Sequence, residues 1–345
     1  MPQRAYLDWN ATAPLRPEAR AAMLAALDVA GNPSSVHAEG RAARALVERA
    51  REQVAAAMGA AGSDVVFVSG ATEAAALAMA GRDLATAAVE HEAVAAWGDG
   101  SLAVAPDGAV AVPEPGRSAL QAANSETGVL QELPPGLAVS DMTQAFGKVP
   151  LAFDWSGVGM ALVSSHKLGG PKGVGALVLR RGLEVEPRIR GGGQEMGRRS
   201  GTENVAAIAG FGAAAEAAAR NLEAGAWDRV AKLRTFLETS LEGSDSPTIS
   251  VGKESRRLPN TSCLVTPGWR GETQVMALDL AGFAVSAGSA CSSGKVRESA
   301  VLRAMGYGPG EADCAIRVSI GPATTEEEVA RFAETFRRLR DRRRR

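Results

Sequence analysis

Apolar runs of strand length alternate with Ala-rich amphipathic stretches over the first two-thirds of the chain. Glu18 to Leu27 reads as a helix, closed by the turn formers of Gly31-Asn-Pro-Ser-Ser-Val-His37. Arg41 to Met58 repeats apolar residues at helical spacing, and Asp64-Val-Val-Phe-Val-Ser69 is a continuous apolar run of strand length. Gly70-Ala-Thr-Glu73 then opens a helix from Ala74 to Ala80. Strands are expected at Thr86 to Val89, Ser118 to Ala123 and Leu137 to Asp141, and again at Gly159 to Val163 and Gly173 to Leu179. This alternation predicts an α/β fold with a mostly parallel sheet covered by helices on both faces. A long Ala-rich helical region, Val205 to Leu241, leads into strands near Thr261 to Thr266, Phe283 to Ser286 and Ile316 to Ile320, and a last helix from Glu326. The expected division is a large domain over 12–222 and a smaller α+β domain made of 1–11 and 223–345.

Composition narrows the function. The 345 residues are 46% hydrophobic and only 4% aromatic, which predicts an aliphatic core and a folded enzyme rather than a disordered chain. With 38 basic against 39 acidic residues there is no global field to attract nucleic acid or an anionic membrane. The basic run Arg337 to Arg345 reads as a helix end whose cations suit the dipole, with a docking tail for an acidic partner as the alternative. No apolar stretch approaches the ~20 residues of a membrane span, and the N-terminus lacks a signal core, so a cytoplasmic protein is expected. Cys263, Cys291 and Cys314 are too few and too scattered for a disulfide framework or a metal site, which leaves room for a free, reactive thiol.

The candidate chemistry lies at strand ends, where open α/β sheets place their ligands. Lys167, in Ser164-Ser-His-Lys167, stands between two apolar strands, where partial desolvation lowers an amine's pKa and makes it a nucleophile or base; the alternative is a surface lysine at a hairpin tip. Gly70-Ala71-Thr72 joins a strand to a helix, an arrangement that binds phosphate through free N–H groups, although Thr in such a place also serves as a plain cap. Asp141 closes a strand just before Gln144, positioned either to keep a heteroaromatic nitrogen protonated or simply to cap a turn. The histidines, His37, His91 and His166, all stand in turns or at strand ends. Cys291 lies in Ala287-Gly-Ser-Ala-Cys-Ser-Ser-Gly-Lys295, among small polar residues with Lys295 and Arg297 nearby, a composition that favours a thiolate on a mobile chain. Cys263 and Cys314, in apolar surroundings, read as inert.

Taken in order, Tyr6-Leu-Asp-Trp-Asn-Ala-Thr-Ala-Pro14, Gly31 to His37, Ser69-Gly-Ala-Thr-Glu73, Val89-Glu-His91, Asn124-Ser-Glu-Thr-Gly128, Asp141-Met-Thr-Gln144, Ser164 to Lys167, Arg199-Ser-Gly-Thr202, Ser289-Ala-Cys291 and Ile316-Arg317 resemble the cysteine desulfurases, in the class V aminotransferase branch of fold-type I pyridoxal-phosphate enzymes. The resemblance runs along nearly the whole chain and fits the subgroup with an extended catalytic-cysteine loop. It implies pyridoxal 5'-phosphate held covalently by Lys167, which also serves as acid and base, with Asp141 at the pyridinium nitrogen and His91 against the ring. Gln144 and Asn124 are implied at the ring oxygen region, and Ala71, Thr72, Ser164 and His166 at the phosphate. Thr202 is implied at the phosphate of a second subunit's cofactor, hence a homodimer, and Arg317, with Asn124, at the substrate. The implied reaction turns L-cysteine into L-alanine and leaves a persulfide on Cys291 for an acceptor such as an iron–sulfur scaffold protein. Selenocysteine lyase, another class V enzyme, or a non-catalytic sulfur-transfer partner that keeps the fold are the alternatives. Against the family pattern, the chain between His91 and Asn124 is short and broken by Gly and Pro.

Overall fold

The computed structural model describes residues 4–242, 248–288 and 298–343. Its larger sheet has four continuous strands in the spatial order Ser63–Val68, Gly175–Arg180, Met160–Ser164 and Val139–Asp141. Gly175–Arg180 runs against both of its neighbours, whereas Val139–Asp141 is parallel to Met160–Ser164. Parallel bridges carry the sheet further, from Val139 to Ala119, Ser118 to Ala85, and Leu84 to Gly98. The expectation of a mostly parallel sheet therefore holds, with one strand reversed. That reversal matters, because antiparallel neighbours need no crossover helix. The connection from Ser164 to Gly175 is a short loop, and Lys167 rides on it.

The strands expected at Thr86–Val89 and Ser118–Ala123 are reduced to single bridges. Side chains take the ladder's hydrogen bonds there: Thr86 N donates to Asp99 Oδ1 (3.3 Å), and Gln121 N donates to Glu90 Oε1 (2.9 Å). Backbone bonds such as Leu120 N to Val139 O (3.0 Å) keep the segments in sheet position nonetheless.

Helices cover both faces. Ala71–Met79 packs Ala74, Leu77, Ala78 and Met79 onto Val66, Leu162 and Leu177. On the other face, helices Pro17–Leu27, Ala38–Met58 and Val205–Glu223 enclose Phe67, Phe146 and Phe211, whose rings meet edge to face. Small residues let two of these helices approach closely: a Cβ on Gly212 would lie 2.6 Å from Ala50 Cα.

A second sheet, in the order Ile249–Ser250, Thr261–Val265, Ala315–Ser319 and Ser286–Ala287, is antiparallel throughout. Helices Ala226–Leu241, Gly271–Leu280 and Glu326–Arg342 bury Trp227, Leu237, Leu278, Phe332 and Phe336 around it. The N-terminal strand Ala5–Tyr6 pairs with Phe283–Ala284, and Ala5 and Leu7 enter this second core. From there, residues 8–13 cross back to the larger sheet, where Ala13 N donates to His166 O (2.9 Å). No helix among the described residues is long and apolar enough to cross a membrane.

Gly212→Val forces the Ala38–Met58 and Val205–Glu223 helices apart, and overpacking of this kind costs about 1–3 kcal/mol. We expect a lower urea midpoint with an unchanged slope. An unaltered midpoint would show that the helix contact is looser than the geometry implies.

Candidate active site

Strand register gathers the site. Val68 and Ser164 both lie opposite Gly175, so the turn into the Ala71–Met79 helix and the turn carrying Lys167 leave the sheet side by side. Asp141 pairs with Leu162 on the adjoining strand. Ala71, Thr72, Ser164, His166, Lys167 and Asp141 thus share one edge.

Lys167 is not a surface lysine. Its Nζ donates to the carbonyls of Asn10 (2.8 Å) and Ala11 (2.9 Å). Burial pushes its pKa down to about 8, helped by the Arg317 cation and opposed by Asp141 and Asp8. Next to it, His166 Nδ1 lies 3.1 Å from Thr12 Oγ1. Burial, with Lys167, Lys172 and Lys148 nearby, pushes its pKa down to about 4, so the ring is neutral at pH 7.

The Ala71–Met79 helix starts at Gly70 with no side chain capping it, so its first N–H groups are open to an anion. Thr72 is exposed at this end, and Ser164 lies across from it: a Cβ on Gly70 would meet only Ser164 Oγ, at 3.8 Å. Glu73 ties the turn to the loop before Thr202, accepting from Ser69 N (2.7 Å) and from Arg199 Nε (2.9 Å). Buried Glu195 holds the same loop by accepting from Phe67 N (2.9 Å) and pairing with Arg51 (2.8 Å). Thr202 is exposed beyond these anchors.

Asp141 does cap its turn, accepting from Thr143 N (2.9 Å) through Oδ1. Gln144 is buried; its Nε2 donates to Asn10 O (3.0 Å), and its Oε1 accepts from Lys148 Nζ (2.6 Å). Asn124 is occupied locally, with Oδ1 accepting from Glu126 N (2.9 Å) and Thr127 N (2.8 Å) and Nδ2 donating to Val89 O (3.0 Å). That last bond seats the His91 turn over residues 121–124. His91 caps the Glu92–Ala95 turn through Nδ1, which accepts from Ala93 N (3.1 Å), and its ring is exposed.

Arg317 reaches the site from the second sheet. Its guanidinium donates to Ser125 O (3.1 Å), Ser286 Oγ (3.2 Å) and Asp8 Oδ1 (2.8 Å). The proposed carboxylate clamp is therefore already paired with a carboxylate of its own chain. Cys291, Ser289, Lys295 and Arg297 lie outside the described residues. Cys263 and Cys314 are buried, and burial pushes both thiols above their ordinary pKa, in keeping with inert residues. Among the described residues no group of His, Cys, Asp and Glu is arranged to hold a metal ion. A cavity of about 600 Å³ beside Asp83, Asp99 and Arg117 contains none of these site residues.

Three residues central to this arrangement carry no role in the sequence reading: Asn10, Lys148 and Glu126. Lys148 had a signal, its i+4 spacing from Gln144. Glu126 is buried, with Oε2 accepting from Ser299 Oγ (2.9 Å) and Oε1 without a partner among the described residues.

Burial raises the Glu126 pKa from 4.5 to about 7, opposed by the Ser299 bond and by Arg317. The folded state thus binds a proton that the unfolded state has released, so stability falls as pH rises through 4.5 to 7 and levels off above that window. Glu126→Gln should flatten this dependence and leave the variant more stable than the parent at pH 8, by on the order of 2 kcal/mol. Urea midpoints at pH 5 and 8 measure it, and parallel pH curves would reject the assignment.

The aminotransferase class-V family model matches residues 5–105 and 109–332. A cysteine desulfurase of Frankia sp. (strain EuIK1) is 40% identical over 380 residues, covering 96% of this chain and 90% of the relative. One from Cereibacter sphaeroides is 39% identical, covering 97% and 95%. Among solved structures, the NifS-like protein from Rickettsia africae ESF-5 superposes with a TM-score of 0.89 at 30% identity, covering 98% of this chain and 100% of that one. A structure described as SspA in complex with cysteine gives 0.76 at 25% identity, covering 93% and 100%. With its lysine on the short antiparallel connection and matches of this extent, the chain belongs to the class-V aminotransferase family.

Proposed function

We propose that the protein is a pyridoxal-phosphate-dependent cysteine desulfurase. The observation that carries this is the placement of Lys167: a part-buried amine with a lowered pKa, at the edge where an uncapped helix N-terminus and a strand-end carboxylate converge. These residues fit the cofactor. The N–H groups of Ala71 and Thr72, with the Thr72 and Ser164 hydroxyls and His166, match a phosphate, and Asp141 matches a pyridinium nitrogen. Exposed His91 offers a ring face, and Gln144 keeps an amide N–H not used by Asn10. When bound, pyridoxal phosphate supplies an electron sink that draws charge away from the substrate's Cα.

The chain's own groups supply the rest. Lys167 would anchor the cofactor, and its amine would be the group that takes and returns the Cα proton. Arg317 holds the substrate carboxylate, a bidentate task suited to guanidinium, with Asn124 alongside. The Cys291 thiolate attacks the sulfur of L-cysteine. The substrate's C–S bond breaks as the S–S bond forms; the sulfur is oxidised to sulfane level, and the carbon keeps the electron pair and gains a proton. L-cysteine and the Cys291 thiol thus become L-alanine and a Cys291 persulfide.

Thr202, exposed and held on a braced loop, suits a place against a second subunit's cofactor in a homodimer. The acceptor we propose is an iron–sulfur scaffold protein in the cytoplasm, as the family resemblance implies; a relative from Dictyoglomus turgidum, 35% identical, is named cysteine desulfurase IscS.

Cys291→Ser should keep the yellow colour of the cofactor-loaded protein yet lose the persulfide detected by mass spectrometry and at least 100-fold of alanine formation, roughly what loss of an essential nucleophile removes. Full sulfide production by that variant would sink the mechanism, and a colourless Lys167→Ala is expected. Uptake of pyridoxal phosphate by apoprotein needs the neutral Lys167 amine. Its rate should therefore climb with pH and level off above about 8; a plateau already reached at pH 6.5 would contradict the placement of Lys167.

A further inference from the structure

Lys148 is a buried amine to which the proposed reaction gives no role. It is 3% exposed, on the turn after Asp141, four residues beyond Gln144. Backbone bonds from Phe146 N to Met142 O (2.9 Å) and from Lys148 N to Ala145 O (3.0 Å) wind this segment so that Gln144 and Lys148 face the same way. The Lys148 nitrogen meets Gln144 Oε1 at 2.6 Å and Asn10 Oδ1 at 3.1 Å. Both are neutral amide oxygens, and no carboxylate among the described residues forms an ion pair with it. Asn260 Nδ2 also donates to Asn10 Oδ1 (3.0 Å), which fixes that oxygen's orientation from the second sheet.

The charged groups facing this corner are Lys167 and Arg317, with His166 nearby and Asp8 and Asp141 beyond Lys167. A buried amine among cations is driven toward its neutral form, and burial with Lys167 and Arg317 pushes Lys148 well below its ordinary pKa. The donor count agrees. A neutral amine has two N–H bonds for its two acceptors, whereas an ammonium would carry a third with no partner among the described residues.

The consequence falls on Gln144. Its amide could be placed either way round, but Lys148 donates to one end and the Asn10 carbonyl accepts from the other. A flip would set oxygen against the Asn10 carbonyl and NH2 against the Lys148 donor. We infer that Lys148 is a positioning residue that locks the Gln144 amide with its NH2 group toward the site, so that the second N–H donates to the ring oxygen of the bound cofactor. This rests on the cofactor reading above; Lys148 itself touches neither cofactor nor substrate.

A donor to the ring oxygen favours that oxygen's charged form and lowers the pKa at which the visible band of the loaded protein changes colour. The test is a spectrophotometric pH titration of the loaded protein for the parent, Lys148→Met, Gln144→Met and the double variant, with circular dichroism to verify folding. Each single substitution should raise the spectral pKa by about one unit, the scale of one lost hydrogen bond to a charged group. The double variant should match Gln144→Met alone, because Lys148 acts through that amide. A parent-like spectral pKa in folded, loaded Lys148→Met would overturn the inference. So would additive shifts, which would mean that Lys148 acts by its field and not by orientation. If Lys148→Met does not fold, Lys148→Gln carries the same comparison, since its shorter amide does not reach both oxygens. A parent that never develops a visible band with pyridoxal phosphate would defeat the cofactor reading instead, and is told apart from these results at once.

Discussion

The active edge depends on a single buried amide, Asn10. It has no exposed surface, and its polar groups are paired with five separate segments of the chain. Its N–H donates to Ser319 Oγ, and its Nδ2 donates to Thr261 Oγ1 and Ser125 O. Its Oδ1 accepts from Lys148 and Asn260, and its carbonyl accepts from Gln144 and Lys167. A buried polar group left without a partner costs about 1–3 kcal/mol, so a network this complete permits one geometry and penalises its neighbours. Asn10 lies on the strand of chain that leaves the second core at Leu7 and reaches the larger sheet at Ala13. The amine of Lys167, on the larger sheet, is thereby registered against Arg317, on the smaller one.

The reversed strand Gly175–Arg180 is the second constraint. In an all-parallel sheet the connection after Ser164 would need a crossover of a dozen or more residues. The reversal shortens it and sets Gly175 between Val68 and Ser164, so the turn into the Ala71–Met79 helix and the lysine turn emerge from strands flanking one glycine. That glycine is required by packing, since a Cβ there would lie 2.8 Å from Gly70 Cα. A backbone approach this close is what holds the two turns together.

These constraints explain what was legible in the sequence. The strands at 64–69, 159–163 and 173–179 and the helix before Met58 were readable because burial on both faces, or on one stripe, writes a local pattern. The partial burial of Lys167 was readable from its apolar flanks. What it donates to was not, because the carbonyls of Asn10 and Ala11 lie more than 150 residues away and carbonyls leave no signature in side-chain order. Neither was the pairing of Arg317 with Asp8, across 309 residues, nor the substitution of Glu90 and Asp99 side chains for ladder partners near Thr86 and Gln121. Long-range polar contacts obey no periodicity. The motif-bearing residues marked where chemistry gathers, and the residues that orient them stood in the same motifs without a role.

The pairing of Arg317 with Asp8 also sets how the site meets an anionic substrate. Lys167 and Arg317 face Asp8 and Asp141, so two cations stand against two carboxylates at this corner. In the proposed reaction, a substrate carboxylate arriving at Arg317 therefore does not fill an empty cationic hole. It competes with Asp8, which is also held by Ser286 Oγ (2.8 Å) and so has somewhere to remain when the guanidinium turns away. Because both terminal nitrogens of the Arg317 guanidinium are already paired, the net gain from the carboxylate contact is the difference between two similar ion pairs and is small. In the proposed reaction, recognition then draws on groups without a partner, and Arg317 Nε, which has none among the described residues, is one such group at this position. That proposed exchange frees Asp8 while adding one anion, and the added charge favours the protonated form of Lys167, the group proposed to accept the Cα proton.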